Sequence, residues 1–241
     1  MHDQQTPPPF PQVWIGTDLG DYRTCTGTYQ GYDLSTVPPL PEDRFDGSFA
    51  WLLSQPSPFT FDKRFGEFWT NYDSLEKRKT DAPQSKAALL QESSRLGVEI
   101  PAAFFLFLDN LELVTRIRSC TDCYFEYAQT LLPHPEPPGG HFVHFYSDSQ
   151  YCCLWYLYID PQQRCYVVAS DDLTEPVDEN SDQETWRKHY GGPALLCAWS
   201  FESFVYRLWI ENEIWYRLNL KDQPPLLEEM RDYLAFYASD A

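Results

Sequence analysis

Apolar side chains recur at helical spacing in four stretches of the chain, and each stretch predicts a helix. The first runs from Pro83 to Leu96 and is followed by a glycine, which is a common stop signal. The second, from Pro101 to Leu108, is apolar on all sides, so we expect it to be buried. The strongest pattern runs from Ser200, as the capping residue, to about Leu218, and a last helix is predicted from Pro224 to Tyr237.

Between the second and third of these helices, the pattern changes to short runs of β-branched and aromatic residues. Three strands are predicted, over His141–Tyr146, Tyr151–Ile159 and Cys165–Ala169, and residues 123–127 are a further candidate. Only a few residues separate the three runs, and connections that short join antiparallel neighbours. The order of elements predicts an α+β fold with a central, mostly antiparallel sheet, a meander, flanked by helices.

The part of the chain before these elements divides in two. Residues 1–12 are rich in Pro and Gln, and we expect them to be flexible. Over residues 13–80, Gly, Pro and aromatic residues alternate, which indicates short strands or irregular structure, with a helical turn near Phe65–Tyr72. Because so many aromatic side chains need a surface to pack on, we interpret residues 13–80 as an N-terminal extension packed on the core. Residues 81–241 form the predicted α+β domain.

Charge narrows the classes of partner. The chain has 18 Lys and Arg residues against 36 Asp and Glu, a net charge of −18. Such a field repels phosphate backbones and anionic membrane surfaces, so neither a nucleic acid nor a membrane is expected as a partner. The same field accelerates the encounter with a basic protein. The alternative, that the charge serves solubility alone, stays open.

The compartment follows from two further observations. The first residues lack the charged start, apolar stretch and small-residue cleavage site of a signal peptide, and the longest apolar run is too short to span a bilayer. The 7 cysteines are an odd number, and without a signal peptide they are expected to be reduced thiols. We therefore expect a cytoplasmic protein.

The densest group of acidic residues lies between the last predicted strand and the strongest predicted helix. Seven acids and no Lys or Arg occur over residues 171–184, and aromatic residues that could anchor a partner follow directly. Two glutamates of the helix complete the candidate surface; the alternative is a solvated loop without a contact role. The candidate partner-binding residues are Asp171, Asp172, Glu175, Asp178, Glu179, Asp182, Glu184, Trp186, Tyr190, Glu211 and Glu213.

Two other groups of residues could carry chemistry, as a zinc site or as a hydrolytic site. The pair Cys152-Cys153 is adjacent on a predicted strand, so the two thiols point to opposite faces and do not readily share a metal. His141 and His144 are three positions apart on a strand and likewise face opposite sides. We therefore predict a non-catalytic protein without a metal or other cofactor. The remaining members of these groups are Cys120, Cys123, Cys165 and Asp148.

Three motifs follow one another along the chain. The first is a leucine-glycine pair and a proline followed by a Phe-Leu-rich helix, the second lies in the meander, and the third is a serine-phenylalanine start of a long amphipathic helix. In this sequence they are Leu96–Pro101 with Phe104–Leu108, then Leu157–Pro161 with Val167–Ala169, then Ser200–Phe204 leading into Trp209–Asn212. In this order they resemble the motifs of the SUKH superfamily, whose members are similar to the yeast cell-wall-synthesis regulator.

The resemblance implies both a fold and a function. The implied fold is α+β, with a mixed or antiparallel sheet between helices. Most bacterial members of the superfamily are immunity proteins, so the implied function is neutralisation of a toxin, commonly a nuclease, through a tight protein–protein complex. Together with the charge, this favours a basic toxin domain as the partner. A regulatory scaffold of cell-wall or signalling pathways, like the yeast relative, is the alternative.

Overall fold

A computed structural model describes residues 10–56, 74–134, 139–171, 173 and 194–238, with the backbone alone for residues 74–81. The helical turn predicted near Phe65–Tyr72 and most of residues 1–12 lie outside these ranges. The strands are β1 (Val13–Gly16), β2 (Gln30–Asp33), β3 (Tyr124–Phe125), β4 (Leu132–Pro133), β5 (His141–Ser147), β6 (Leu154–Ile159), β7 (Cys165–Ser170) and β8 (Leu195–Ala198). The helices are α1 (Ala50–Leu53), α2 (Ser74–Leu96), α3 (Ala102–Asp109), α4 (Leu111–Thr115), α5 (Phe201–Asn219) and α6 (Glu228–Ala238).

The central sheet is antiparallel throughout, and the predicted α+β fold is confirmed. Its strand order is β3-β5-β6-β7-β8, with β4 also paired to β5. β5, β6 and β7 form the predicted meander, in which Ile159 pairs with His141 on one side and with Cys165 on the other. β6 begins at Leu154, three residues later than predicted, because Tyr151 adopts a φ of 58° in the preceding turn. The sequence analysis missed β8, a four-residue apolar run too short to show a periodicity.

The helix boundaries follow from their capping residues and prolines. α5 begins as predicted: the Ser200 side chain accepts the Ser203 backbone N–H, and the Ser203 hydroxyl binds the Ser200 backbone in return. α2 extends well upstream of Pro83, so the start predicted at this residue is wrong, and the proline lies inside the helix at the cost of one helical donor. α6 begins only at Glu228, since two consecutive prolines hold the preceding chain in an extended conformation. None of the helices in the described ranges is long and apolar enough to cross a bilayer.

The sheet is covered on both of its faces. Trp155, Leu157 and Ile159 of β6 belong to one hydrophobic cluster, which also includes the apolar side of α5. The alternate residues of the same strand, among them Tyr156 and Tyr158, belong to a second cluster. Because successive strand residues face opposite sides, the two clusters lie on opposite faces of the sheet.

The N-terminal residues are part of this core. β1 and β2 form an antiparallel pair, and the segment preceding β1 runs along β8, where the Leu196 backbone N–H donates to the carbonyl of Pro11 at 2.8 Å. Trp14, Phe49 and Leu52 are fully or almost fully buried in the main cluster. Most of the described aromatic residues up to position 56 therefore pack into the core, whereas Tyr22 is exposed.

Candidate functional site

Nearly the whole circumference of α5 is enclosed, including the side that the sequence predicted to be exposed. Glu211 is 2% exposed and Glu213 is 6% exposed. This corrects the expectation that these two glutamates belong to a partner-binding surface. The physical reason is that arginines distant in sequence cover the polar side of α5 and pair with its carboxylates. The long helix is thus an internal element.

The carboxylate of Glu211 connects three parts of the chain. Arg23 binds both of its oxygens, through Nη1 to Oε1 at 2.6 Å and through Nη2 to Oε2 at 2.7 Å. Trp14 Nε1 donates to Oε2 at 2.8 Å, and the Tyr233 hydroxyl donates to Oε1 at 2.6 Å. The hydroxyl of Tyr233 in turn accepts a hydrogen bond from Arg207 Nη1 at 2.9 Å. We call these five residues the Glu211 cluster.

The protonation states in the Glu211 cluster follow from burial and charge. Burial alone raises the pKa of Glu211, but Arg23, Tyr233 and Arg207 outweigh it, and the net shift is downward. For Tyr233, in contrast, burial is the dominant cause, and the pKa is raised well above its usual value. At neutral pH, Glu211 is therefore a carboxylate and Tyr233 a neutral hydroxyl that can donate to it.

Two further buried carboxylates hold other segments against α5. Glu213 accepts from Arg118 Nε at 2.6 Å and from Arg118 Nη2 at 2.7 Å, which fixes the segment that follows α4. Glu202 accepts from the backbone N–H of Gly47 at 2.6 Å and from Trp51 Nε1 at 2.8 Å, which fixes the entry to α1. The acidic residues of α5 are therefore structural.

The predicted acidic loop is described only at residues 171 and 173. Asp171 is 6% exposed, its Oδ1 accepts from the Ser170 hydroxyl at 3.1 Å, and its carbonyl accepts from the Tyr156 hydroxyl at 3.2 Å. This burial corrects the expectation that Asp171 contacts a partner, because its polar atoms are directed to the end of the sheet. The candidate residues outside the described ranges are Asp172, Glu175, Asp178, Glu179, Asp182, Glu184, Trp186 and Tyr190.

The histidines form no joint site with Asp148. His144 Nε2 lies 2.9 Å from the hydroxyl of Ser147, which is fully buried and donates to Glu126 at 2.6 Å. A buried hydroxyl that already donates to a carboxylate is not an accessible nucleophile. Asp148 is used in a turn, where it accepts from the hydroxyl of Tyr29 at 2.5 Å and from the Gln150 backbone at 2.8 Å.

The cysteines show no metal-binding geometry in the described ranges, where no three His, Cys, Asp or Glu side chains are placed to share an ion. Cys152 is exposed and Cys153 is buried, as expected for neighbours that point in opposite directions. Burial raises the pKa of Cys120 to about 12, so its thiol is protonated at neutral pH.

A groove of about 500 Å³ opens beside the first turns of α5. It is lined by the proline-containing segment of residues 37–40 and by Trp199 and Phe236. Arg207, a member of the Glu211 cluster, also lines the groove. Trp199 is 41% exposed, which is unusual for so large an apolar side chain.

Sequence reasoning did not identify Arg23, Arg118 or Arg207. The only local signal is a basic residue in an aromatic or apolar context, as in the Val-Tyr-Arg-Leu-Trp stretch around Arg207. That context does not reveal the partner, because Arg23 and Glu211 are 188 residues apart.

Comparisons with known proteins were made at three levels. No protein-family model matches the chain, no curated protein matches it, and no solved structure matches its fold.

Proposed function

We propose that this chain is a non-catalytic protein-binding protein, an immunity protein that neutralises a basic, nuclease-type toxin. The observation that carries the proposal is the net charge that remains when the buried charged residues are subtracted from the total. In the described ranges, six carboxylates and three guanidinium groups are buried, a net −3. Of the total of −18, the rest of the chain therefore carries −15. Internal pairing thus leaves nearly all of the excess negative charge available to attract a basic partner.

The resemblance to the SUKH superfamily supplies the class of partner. The α+β architecture, with a mostly antiparallel sheet and the long serine-capped helix, agrees with the fold that the resemblance implies. An antidote also needs rapid association, because the toxin acts as soon as it is free. Electrostatic steering by a net charge of −18 would provide that rate.

The proposal is tested with any basic toxin domain that is encoded beside this gene, by co-expression and by measuring the association rate with the purified full chain. We expect protection of the host cell, and an association rate that falls steeply as ionic strength rises to the physiological value. Failure to bind or protect against any of these domains would contradict the proposed function. An association rate insensitive to salt would contradict its electrostatic basis.

A matched pair of charge variants tests which acidic residues attract the basic partner. One variant neutralises four acids of the predicted loop: Asp178→Asn, Glu179→Gln, Asp182→Asn and Glu184→Gln. The control neutralises four exposed acids elsewhere: Asp21→Asn, Asp43→Asn, Glu99→Gln and Asp232→Asn. Both variants have the same net charge, so a larger loss of association rate in the first assigns the contact to the loop. Equal losses would show that net charge alone acts.

A further inference from the structure

The groove beside α5 ends on a buried cation. Arg207 is 6% exposed and lines the groove. Its Nη1 donates to the Tyr233 hydroxyl and its Nη2 donates to the carbonyl of Pro38, both at 2.9 Å. Each terminal nitrogen of a guanidinium carries two N–H donors. One donor on each is therefore left over in the described part of the chain.

The charges around Arg207 do not balance. Among the described residues, Arg207 forms no ion pair, and the nearest carboxylate of its cluster, Glu211, is already bound by both terminal nitrogens of Arg23. Two guanidinium groups thus surround one carboxylate, so the Glu211 cluster carries a net charge of +1. A buried charge without a counter-charge is costly, and an anion placed beside it relieves that cost.

The other residues that line the groove indicate the polarity of the rest of a ligand. Val37, Pro39, Trp199 and Phe236 present apolar surface, and a volume of about 500 Å³ is in the range of pockets that bind small molecules. Glu42, which is exposed, is the acidic residue at the groove. Arg207 is therefore the cationic group of the groove, whose lining also includes Ser35 and Ser203, and the apolar residues suit the body of a ligand.

We infer that this groove binds a small amphipathic monocarboxylate, with its carboxylate on Arg207 and its apolar body between residues 37–40 and Trp199. A planar carboxylate matches the two remaining donors of a guanidinium in a bidentate arrangement. The cluster has one positive charge in excess, and the −18 net charge of the chain disfavours anions of higher charge. The site is separate from the proposed toxin-binding function and does not depend on it.

The inference is tested by calorimetric titration of the full chain with two monocarboxylates, octanoate and indole-3-acetate, and with octan-1-ol as the uncharged match of octanoate. We expect at least one of the two acids to bind saturably, with one molecule per chain. Octan-1-ol should bind with an affinity about tenfold or more lower than that of octanoate. Binding should quench or shift the fluorescence of Trp199, which Trp199→Phe identifies. Absence of saturable binding of both acids at millimolar concentration would overturn the inference, as would equal binding of octanoate and octan-1-ol.

Variants assign the charge recognition to Arg207. Arg207→Met should weaken binding of the acid by about tenfold or more without changing that of octan-1-ol, and Arg207→Lys should lie in between because it loses the bidentate geometry. Arg95→Met, at a side chain that is 64% exposed, is the control and should leave binding unchanged. If Arg207→Met does not fold, Trp199→Ala, which leaves the cluster intact, should weaken the acid and the alcohol alike. Unchanged acid binding in either folded variant would contradict the inference.

Discussion

The side chain of Glu211 shows how much a single buried carboxylate organises in this protein. It accepts hydrogen bonds from Trp14 and Arg23 in the first part of the chain and from Tyr233 in the last helix. Each of these donors is itself buried. Breaking such a pair leaves the partner charge without compensation in the interior, and that loss exceeds the net gain from forming the pair.

Substitution of Glu211 measures this dependence. Glu211→Gln should lower the free energy of unfolding at neutral pH by about 3–5 kcal/mol, because Arg23 stays buried without its counter-charge. Glu112→Gln, at a carboxylate that is 63% exposed and pairs with Arg116, is the control, with an expected loss below about 1 kcal/mol. Chemical denaturation of both variants provides the comparison. Equal losses would show that the buried pair contributes no more than an exposed one.

Comparison of the wild-type chain with Glu211→Gln also gives a signed pH dependence of stability. The pKa of Glu211 in the folded chain lies below the ordinary glutamate value of 4.5, so its contribution to stability is complete above pH 4.5. That contribution is lost as the pH falls from 4.5 through the lower folded-state pKa. In this acidic window, the stability of the wild-type chain should therefore fall more steeply with decreasing pH than that of Glu211→Gln. Parallel curves would contradict the lowered pKa.

At the scale of elements, the strand β5 depends on the turn before it. Gly140 has a φ of 104°, and a Cβ atom there would lie 2.5 Å from the carbonyl oxygen of Ile159. The backbone of β6 must approach this closely for the His141–Ile159 pair to form. A glycine is therefore required by both conformation and space.

Comparison of alanine at Gly140 with alanine at Gly97 separates the requirement for space from the requirement for a positive φ. Gly97→Ala, where φ is 66° and nothing lies within 4 Å of the added Cβ, should cost about 1 kcal/mol from backbone strain. Gly140→Ala carries strain and a clash with the backbone of the neighbouring strand, so its loss should be clearly larger. Thermal unfolding of the two variants checks the order. A smaller loss at Gly140 would show that the turn can shift away from β6.

How far the elements could be predicted depended on whether their determinants are local. The start of α5 was predictable because Ser200 caps the helix within one turn, and the meander because its turns are short. β8 was not, since its pairing with β7 spans the long acidic segment between them and its own four residues show no pattern. The start of α6 was misjudged because the carbonyls of Pro224 and Pro225 bind Arg217 and remain outside the helix.

At the scale of the whole molecule, residues 10–56 share one hydrophobic core with the sheet. β1 lies along β8, Trp14 and Phe49 are in the main core, and three of the hydrogen bonds to Glu211 come from the N-terminal part. Loss of this part would expose the apolar surface of α5 and would remove the donors of Glu202 and the counter-charge of Glu211.

A fragment experiment tests this integration. A chain of residues 57–241 should show no cooperative unfolding transition and weak near-ultraviolet circular dichroism, because its core is incomplete. Addition of a peptide of residues 10–56 should restore both signals, whereas the same peptide with Trp14→Ala and Arg23→Met should restore them less. A cooperative transition in residues 57–241 alone would show that the N-terminal part is dispensable for folding.

The sequence by itself determined the features that arise within a few residues or from simple sums: the cap and start of α5, the antiparallel meander, the α+β class and the net charge of −18. Only the tertiary structure decided which charges are interior. Glu211, Glu213 and Asp171 are indistinguishable in the sequence from solvated acids, but their partners or coverings come from distant parts of the chain. The physical reason is that a charge can be buried only where the fold places a counter-charge or a hydrogen-bond donor beside it. No local sequence pattern encodes such a contact between distant residues.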